Sequence, residues 1–116
     1  MNIESFREYC IRKKGVTEEF PFDSNTLVFK VMGKMFALTD VEKFEGINLK
    51  VEPEAGAELR DKYDSIQAAY HMNKKHWVTV LMGGSVPEKL LKELIDNSYA
   101  LVVQKLTKSQ KLTLNS

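Results

Sequence analysis

Residues 26–39 read "TLVFKVMGKMFALT", and this stretch decides the fold. Leu27, Phe29 and Val31 alternate with Val28 and Lys30, the period-two pattern of a strand with one face buried. Gly33-Lys34 suits a two-residue turn whose first position needs a positive φ, and an apolar strand resumes from Met35 to Thr39. The stretch therefore predicts a β-hairpin. Beyond the polar loop "DVEKFEG", the segment "INLKVE" repeats the alternation, with Ile47, Leu49 and Val51 on one face and Asn48 and Lys50 on the other. Connections this short demand antiparallel pairing.

Helical spacing brackets these strands. Ile3, Phe6, Cys10 and Ile11 predict a first helix over residues 3–14, with Asn2 to cap it and Gly15 to stop it. Pro53 opens a short helix, because its fixed φ and missing N–H cost nothing in a first turn, and Ala55, Leu59 and Tyr63 form its inner stripe. A loop over residues 64–76 leads to a last strand, "WVTVLM". In "GGSVPE", Ser85 and Glu88 have capping-box spacing with Pro87 in the first turn. Leu90, Leu91, Leu94, Ile95, Ser98, Leu101 and Val102 then make a sustained helical stripe. The expected fold is α+β, in the order α-β-β-β-α-β-α, with helices on one face of an antiparallel sheet. Residues 1–106 read as one domain, and the tail over 107–116 has no dependable pattern.

A chain of 116 residues suffices for one core. No apolar run is long enough to span a bilayer, and Glu4, Arg7 and Glu8 stand where a secretion signal would be apolar. Cys10 is the only cysteine, so an internal disulfide is excluded. These features predict a cytoplasmic protein, read as a monomer with no membrane partner. Seventeen basic side chains against sixteen acidic leave a formal charge of +1, so any nucleic-acid contact must rest on a local patch.

The candidate site is "YHMNKKHW", residues 70–77. His71 and His76 are five apart with no carboxylate between them, which argues against a metal centre needing three or four convergent ligands. Cys10 lies on a buried helical stripe, where a thiol behaves as a small hydrophobe. No nucleophile elbow, zincin helix or phosphate-cradling glycine loop occurs, so no catalytic residue, metal or other cofactor is expected. What remains is anion recognition. Lys74, Lys75, His71 and His76 can donate to phosphates, Asn73 can hydrogen-bond a base or backbone, and Tyr70 and Trp77 offer faces for stacking. Lys30, Lys34 and Lys50 would extend the patch if the hairpin leans toward it. The bland alternative makes Trp77 and Tyr70 core anchors and the lysines a solvated turn. A third reading has His71 and His76 lining a ligand or protein-docking pocket beside Trp77.

Four blocks, "PFDSNTLVFKVMGKMFALT", "INLKVEPE", "YHMNKKHW" and "SYALVV", come in an order and spacing that resemble the MmcQ/YjbR family over roughly residues 3–106. Asp23 and Ala68-Ala69 depart from the family's usual glycine and Pro-Gly. The resemblance implies a frataxin-like (CyaY-like) α+β fold and DNA binding by a double-wing arrangement of β-hairpins. Carried over residue by residue, it falls on His71, Asn73, Lys74, Lys75, His76 and Trp77, with the Gly33-Lys34 hairpin as a wing. Frataxin-type iron binding would need an acidic ridge. Here Glu4, Glu8, Glu18, Glu19 and Asp23 alternate with Arg7, Arg12, Lys13 and Lys14, and iron is not expected.

Overall fold

A computed structural model describes residues 1–69 and 71–116. Six strands form one antiparallel sheet in the order β1-β2-β3-β4-β6-β5. They are β1 (Val16–Glu19), β2 (Thr26–Val31), β3 (Lys34–Asp40), β4 (Gly46–Lys50), β5 (Ile66–Ala68) and β6 (Trp77–Leu81). The helices are α1 (Ile3–Ile11), α2 (Pro53–Lys62), α3 (Glu88–Gln104) and α4 (Lys108–Leu114). The α+β class and the placing of the helices on one face are as the sequence predicts. Phe6 and Cys10 of α1, Leu91, Leu94, Ile95 and Val102 of α3, and Leu114 of α4 share a core with Phe29, Ile47, Leu49, Val78 and Val80 of the sheet.

The central hairpin differs from expectation by one residue. Val31 pairs with Lys34, so the turn is Met32-Gly33, with φ of 49° and 77°. Positive φ at both positions is the geometry that matches strand twist in a two-residue hairpin. Lys34 is thus the first residue of β3, not a turn residue. Next, the register shifts: Lys30 opposes Met35 but Phe29 opposes Ala37, leaving Phe36 bulged. A bulge costs the ladder its local bonds. Here Ser98 of α3, fully buried, replaces them. Its hydroxyl donates to the Phe36 carbonyl (2.5 Å) and accepts from the Lys50 N–H (2.8 Å). One helix side chain thereby ties β3 to β4.

Three further expectations are corrected. The Ser85–Glu88 capping box does not form: the helix begins at Glu88 with Pro87 as its uncapped N-cap. A Ser85 cap would require Val86 to be helical, and a residue before proline is driven out of that region. The first helix ends at Ile11, short of residue 14, with Arg12 as its C-cap. In α2 Leu59 and Tyr63 pack on the core as expected, but Gly56 faces inward in place of the exposed Ala55. A Cβ at Gly56 would lie 2.8 Å from Val51 Cγ2, so only glycine lets α2 sit this close. Strands β1 and β5 and helix α4 are additions to the expected order. The tail's Leu114 packs over Gly15, whose φ is 73°.

Candidate anion-binding end and sheet-face hollow

The turn of the β2–β3 hairpin, the C-terminal end of β4, the N-terminal end of β6 and the C-terminal end of α3 meet at one end of the sheet. Lys50 and Trp77 are cross-strand partners. Lys34, Lys50 and Lys105 surround a shallow recess of about 260 Å³, with Met35, Trp77 and Val102 as its other walls. The ammonium of Lys50 feels this crowding. Partial burial first, then Lys105 and Lys34, lower its pKa, with Glu52 opposing. A cation disfavoured by its neighbours is a place where an anion is gained readily. Loops at the same end add Arg12, Lys14, Lys74 and Lys75, against Glu52 and Glu54. At the opposite end the loops carry Asp23, Asp40, Glu42, Glu45 and Asp64, with Lys43 among them. The formal charge of +1 conceals this separation.

The block at residues 70–77 divides between these settings, with Tyr70 outside the described residues. Trp77 is 9% exposed and belongs to a second, smaller core on the sheet face opposite the helices, with Val28, Leu38 and Ala69, and with Met35 and Met72 packed on it. Its ring is an anchor, and Trp77 also lines the lysine recess. Asn73 shapes the loop: its Oδ1 accepts from the Lys75 N–H (2.9 Å) and its carbonyl from the His76 N–H (3.1 Å). The His76 carbonyl accepts from the Val51 N–H (2.8 Å), which pins the end of the loop to the end of β4. Lys74 and Lys75 are exposed, and His76 is half-buried. Lys30 stands apart from the recess, paired with Glu19 at 3.3 Å. Lys105 was missed by sequence reading. Nothing in "VVQKLTK" marks it until the end of α3 is brought beside Lys50.

His71 lies elsewhere, on the rim of a hollow of about 770 Å³ over the open sheet face. Neither His76 nor Trp77 lines it. Its floor follows the register. Leu38 opposes Asn48, Asn48 opposes Thr79, and Thr79 opposes Gln67, so four side chains on adjacent strands make one row. Thr79 Oγ1 donates to Asn48 Oδ1 (2.5 Å). Gly46 lets the Thr79 side chain pack against its backbone, since a Cβ there would lie 2.9 Å from Thr79 Cγ2. Phe22, Met35, Met72 and Leu81 add apolar wall, and Asp23, Asp40, Lys43 and Glu45 complete the rim.

Among the described residues, no three His, Cys, Asp or Glu side chains converge as a metal site would need, and no helix is long and apolar enough to cross a membrane. Burial pushes the Cys10 thiol up to about 12, so it is a neutral thiol at physiological pH. In the folded protein Cys10 should resist a disulfide reagent at pH 8 and react only in denaturant. Rapid native-state labelling would refute its placement under α1.

A small domain whose six-stranded sheet carries helices on one face and exposes the other is the class of protein these features define. The chain belongs to the YjbR family, whose model matches residues 11–101. It is 42% identical over 90 residues to the uncharacterised protein YbdF of Escherichia coli O157:H7, covering 77% of this chain and 74% of that one. With the uncharacterised protein YjbR of Escherichia coli K12 it shares 31% identity over 112 residues, covering 96% and 95%. The crystal structure of Deinococcus radiodurans protein DR2400, a DUF419 domain, superposes with a TM-score of 0.91 at 45% identity, over 98% of this chain and 88% of that chain. A protein of Pseudomonas syringae superposes with a TM-score of 0.74 at 34% identity, over 87% and 98%.

Proposed function

We propose that the protein is a non-enzymatic module that binds the phosphate backbone of duplex DNA through its basic end. The observation that carries this reading is the convergence of Lys34 of β3, Lys50 of β4 and Lys105 at the C-cap of α3, with the exposed Lys74 and Lys75 in a loop at the same end of the sheet. Five lysines along one edge suit an extended polyanion better than a single phosphate, since each can neutralise a successive charge. The Met32-Gly33 turn projects beside them as a wing. Contacts of this kind position a protein on DNA but carry little sequence information. Binding should therefore be salt-sensitive and weakly selective. Because the Trp77 ring is packed away and the Asn73 Oδ1 is used by its own loop, base stacking and base reading play no part in this proposal.

Anisotropy of a labelled duplex tests it. With five phosphate contacts, affinity should fall about 500-fold between 50 and 200 mM salt, following the counterion-release slope. Lys34→Ala/Lys50→Ala/Lys105→Ala should flatten that slope by about three contacts, and Lys74→Ala/Lys75→Ala by about two, with circular dichroism unchanged. No binding at the lower salt, or an unaltered slope in the triple variant, would remove the reading.

A further inference from the structure

The basic end accounts for the lysines but not for the hollow on the open sheet face. At about 770 Å³ it is the size of a small-molecule site, and its lining is of the mixed kind such sites have. Its floor is flat because it is a sheet. The Leu38–Asn48–Thr79–Gln67 row crosses three strand spacings, about 14 Å, and passes from apolar to amide character. Asn48 uses its Oδ1 on Thr79, and among the described residues neither its amide N–H groups nor the Gln67 amide has a hydrogen-bond partner. A planar ligand lying on this floor would meet Leu38, Met35 and Met72 with its face and the two amides with its edge. Phe22, 65% exposed, stands at the wall, an aromatic ring of a kind soluble proteins usually cover.

The rim selects charge. Asp23, Asp40 and Glu45 oppose Lys43 and His71, so the hollow is acidic at neutral pH. Two of these carboxylates are fixed in place. Asp40 Oδ1 accepts from the N–H groups of Glu42 (2.9 Å) and Lys43 (3.2 Å), and Asp23 Oδ1 from those of Asn25 (2.9 Å) and Thr26 (2.6 Å). Those bonds hold the Asp23 carboxyl below its usual range, the backbone donation from Thr26 contributing most. An anion is repelled here, and a planar cation can donate charge-assisted hydrogen bonds to prepositioned oxygens. We propose that this hollow is a binding site for a planar organic cation, an amidinium or guanidinium joined to an aromatic or apolar group.

Benzamidine is the probe, followed by amide chemical shifts of the full chain, with uncharged benzamide as control. Saturable shifts at Leu38, Asn48, Gln67 and Thr79, with a Kd of about 1 mM or tighter, are expected. Benzamide should bind at least about tenfold more weakly, the value of one charge-assisted bond. Asp23→Asn/Asp40→Asn keeps the Oδ1 acceptors that hold both loops while removing the charge. It should weaken benzamidine about tenfold or more and leave benzamide unchanged. Equal binding of the two probes, shifts confined to other surfaces, or no saturation overturns the proposal. The hollow shares Met35 but no lysine with the recess of Lys34, Lys50 and Lys105, so failure here leaves the DNA reading standing, and the reverse holds.

Discussion

Phe29→Ala lowers the unfolding free energy by about 4 kcal/mol. Phe29 is fully buried at the centre of β2, edge-on to Phe6 (5.5 Å between ring centroids, 88° between planes) and 6.5 Å from Phe36. Truncation removes the ring's transfer free energy and leaves a cavity, because bulged Phe36 and the rigid α1 helix cannot collapse into it. Against a total stability of about 5–15 kcal/mol, the change is large. Urea unfolding followed by Trp77, the only tryptophan, reads the shift in midpoint directly. A loss below about 1.5 kcal/mol would mean that the surrounding rings repack, contrary to the close fit described.

Ser98→Ala should cost about 3 kcal/mol, more than a buried serine usually does. Its hydroxyl serves two backbone groups at once, the Phe36 carbonyl and the Lys50 N–H. Each loses its partner in the variant, and a buried group left unsatisfied costs about 1–3 kcal/mol. The effect should also be local: the Lys50 amide should exchange with solvent much faster than those of Ile47 and Leu49, which stay in the ladder. A loss under about 1 kcal/mol with no change at Lys50 would show that this bridge is not what closes the bulge. Because Lys50 sits in the basic recess, the variant should also modestly weaken the DNA binding proposed above.

Where apolar periodicity was strong, the sequence was a good guide. The stripe of α3, the alternation of β2 and β4, and proline at the start of α2 each reflect a physical demand that one residue type meets. Strand β1 was invisible for the opposite reason. "VTEE" has no apolar alternation, and it is held by pairing with β2 while Glu18 bonds Arg7 and Glu19 bonds Lys30. Strand β5 is three residues long, too short to carry a period. The hairpin turn was displaced by one position because Met32, a residue that rarely takes positive φ, does so here. In the sequence Ser98 is only one position of the α3 stripe, and its bridging role needs the bulge, which no local pattern announces.

For the candidate site, legibility stopped at the contents of a loop. "YHMNKKHW" names donors and rings but not their directions. The β6 register sends Trp77 into the second core, the loop turns His71 toward the hollow, and the lysines are left at the surface. Lys34 and Lys50 were named from the hairpin and β4. That they meet each other and Lys105 depends on strand order and on where α3 ends, which are properties of the whole chain.

The separation of basic and acidic loops along the strand direction gives the molecule a permanent electric dipole, even though its formal charge is only +1. A nearly neutral body with such a dipole is not drawn strongly toward an extended anion from afar, but it is turned by the field on approach. Within a Debye length of about 8–10 Å at ordinary ionic strength, that torque presents the lysine end first and carries the acidic loops outward, open to solvent.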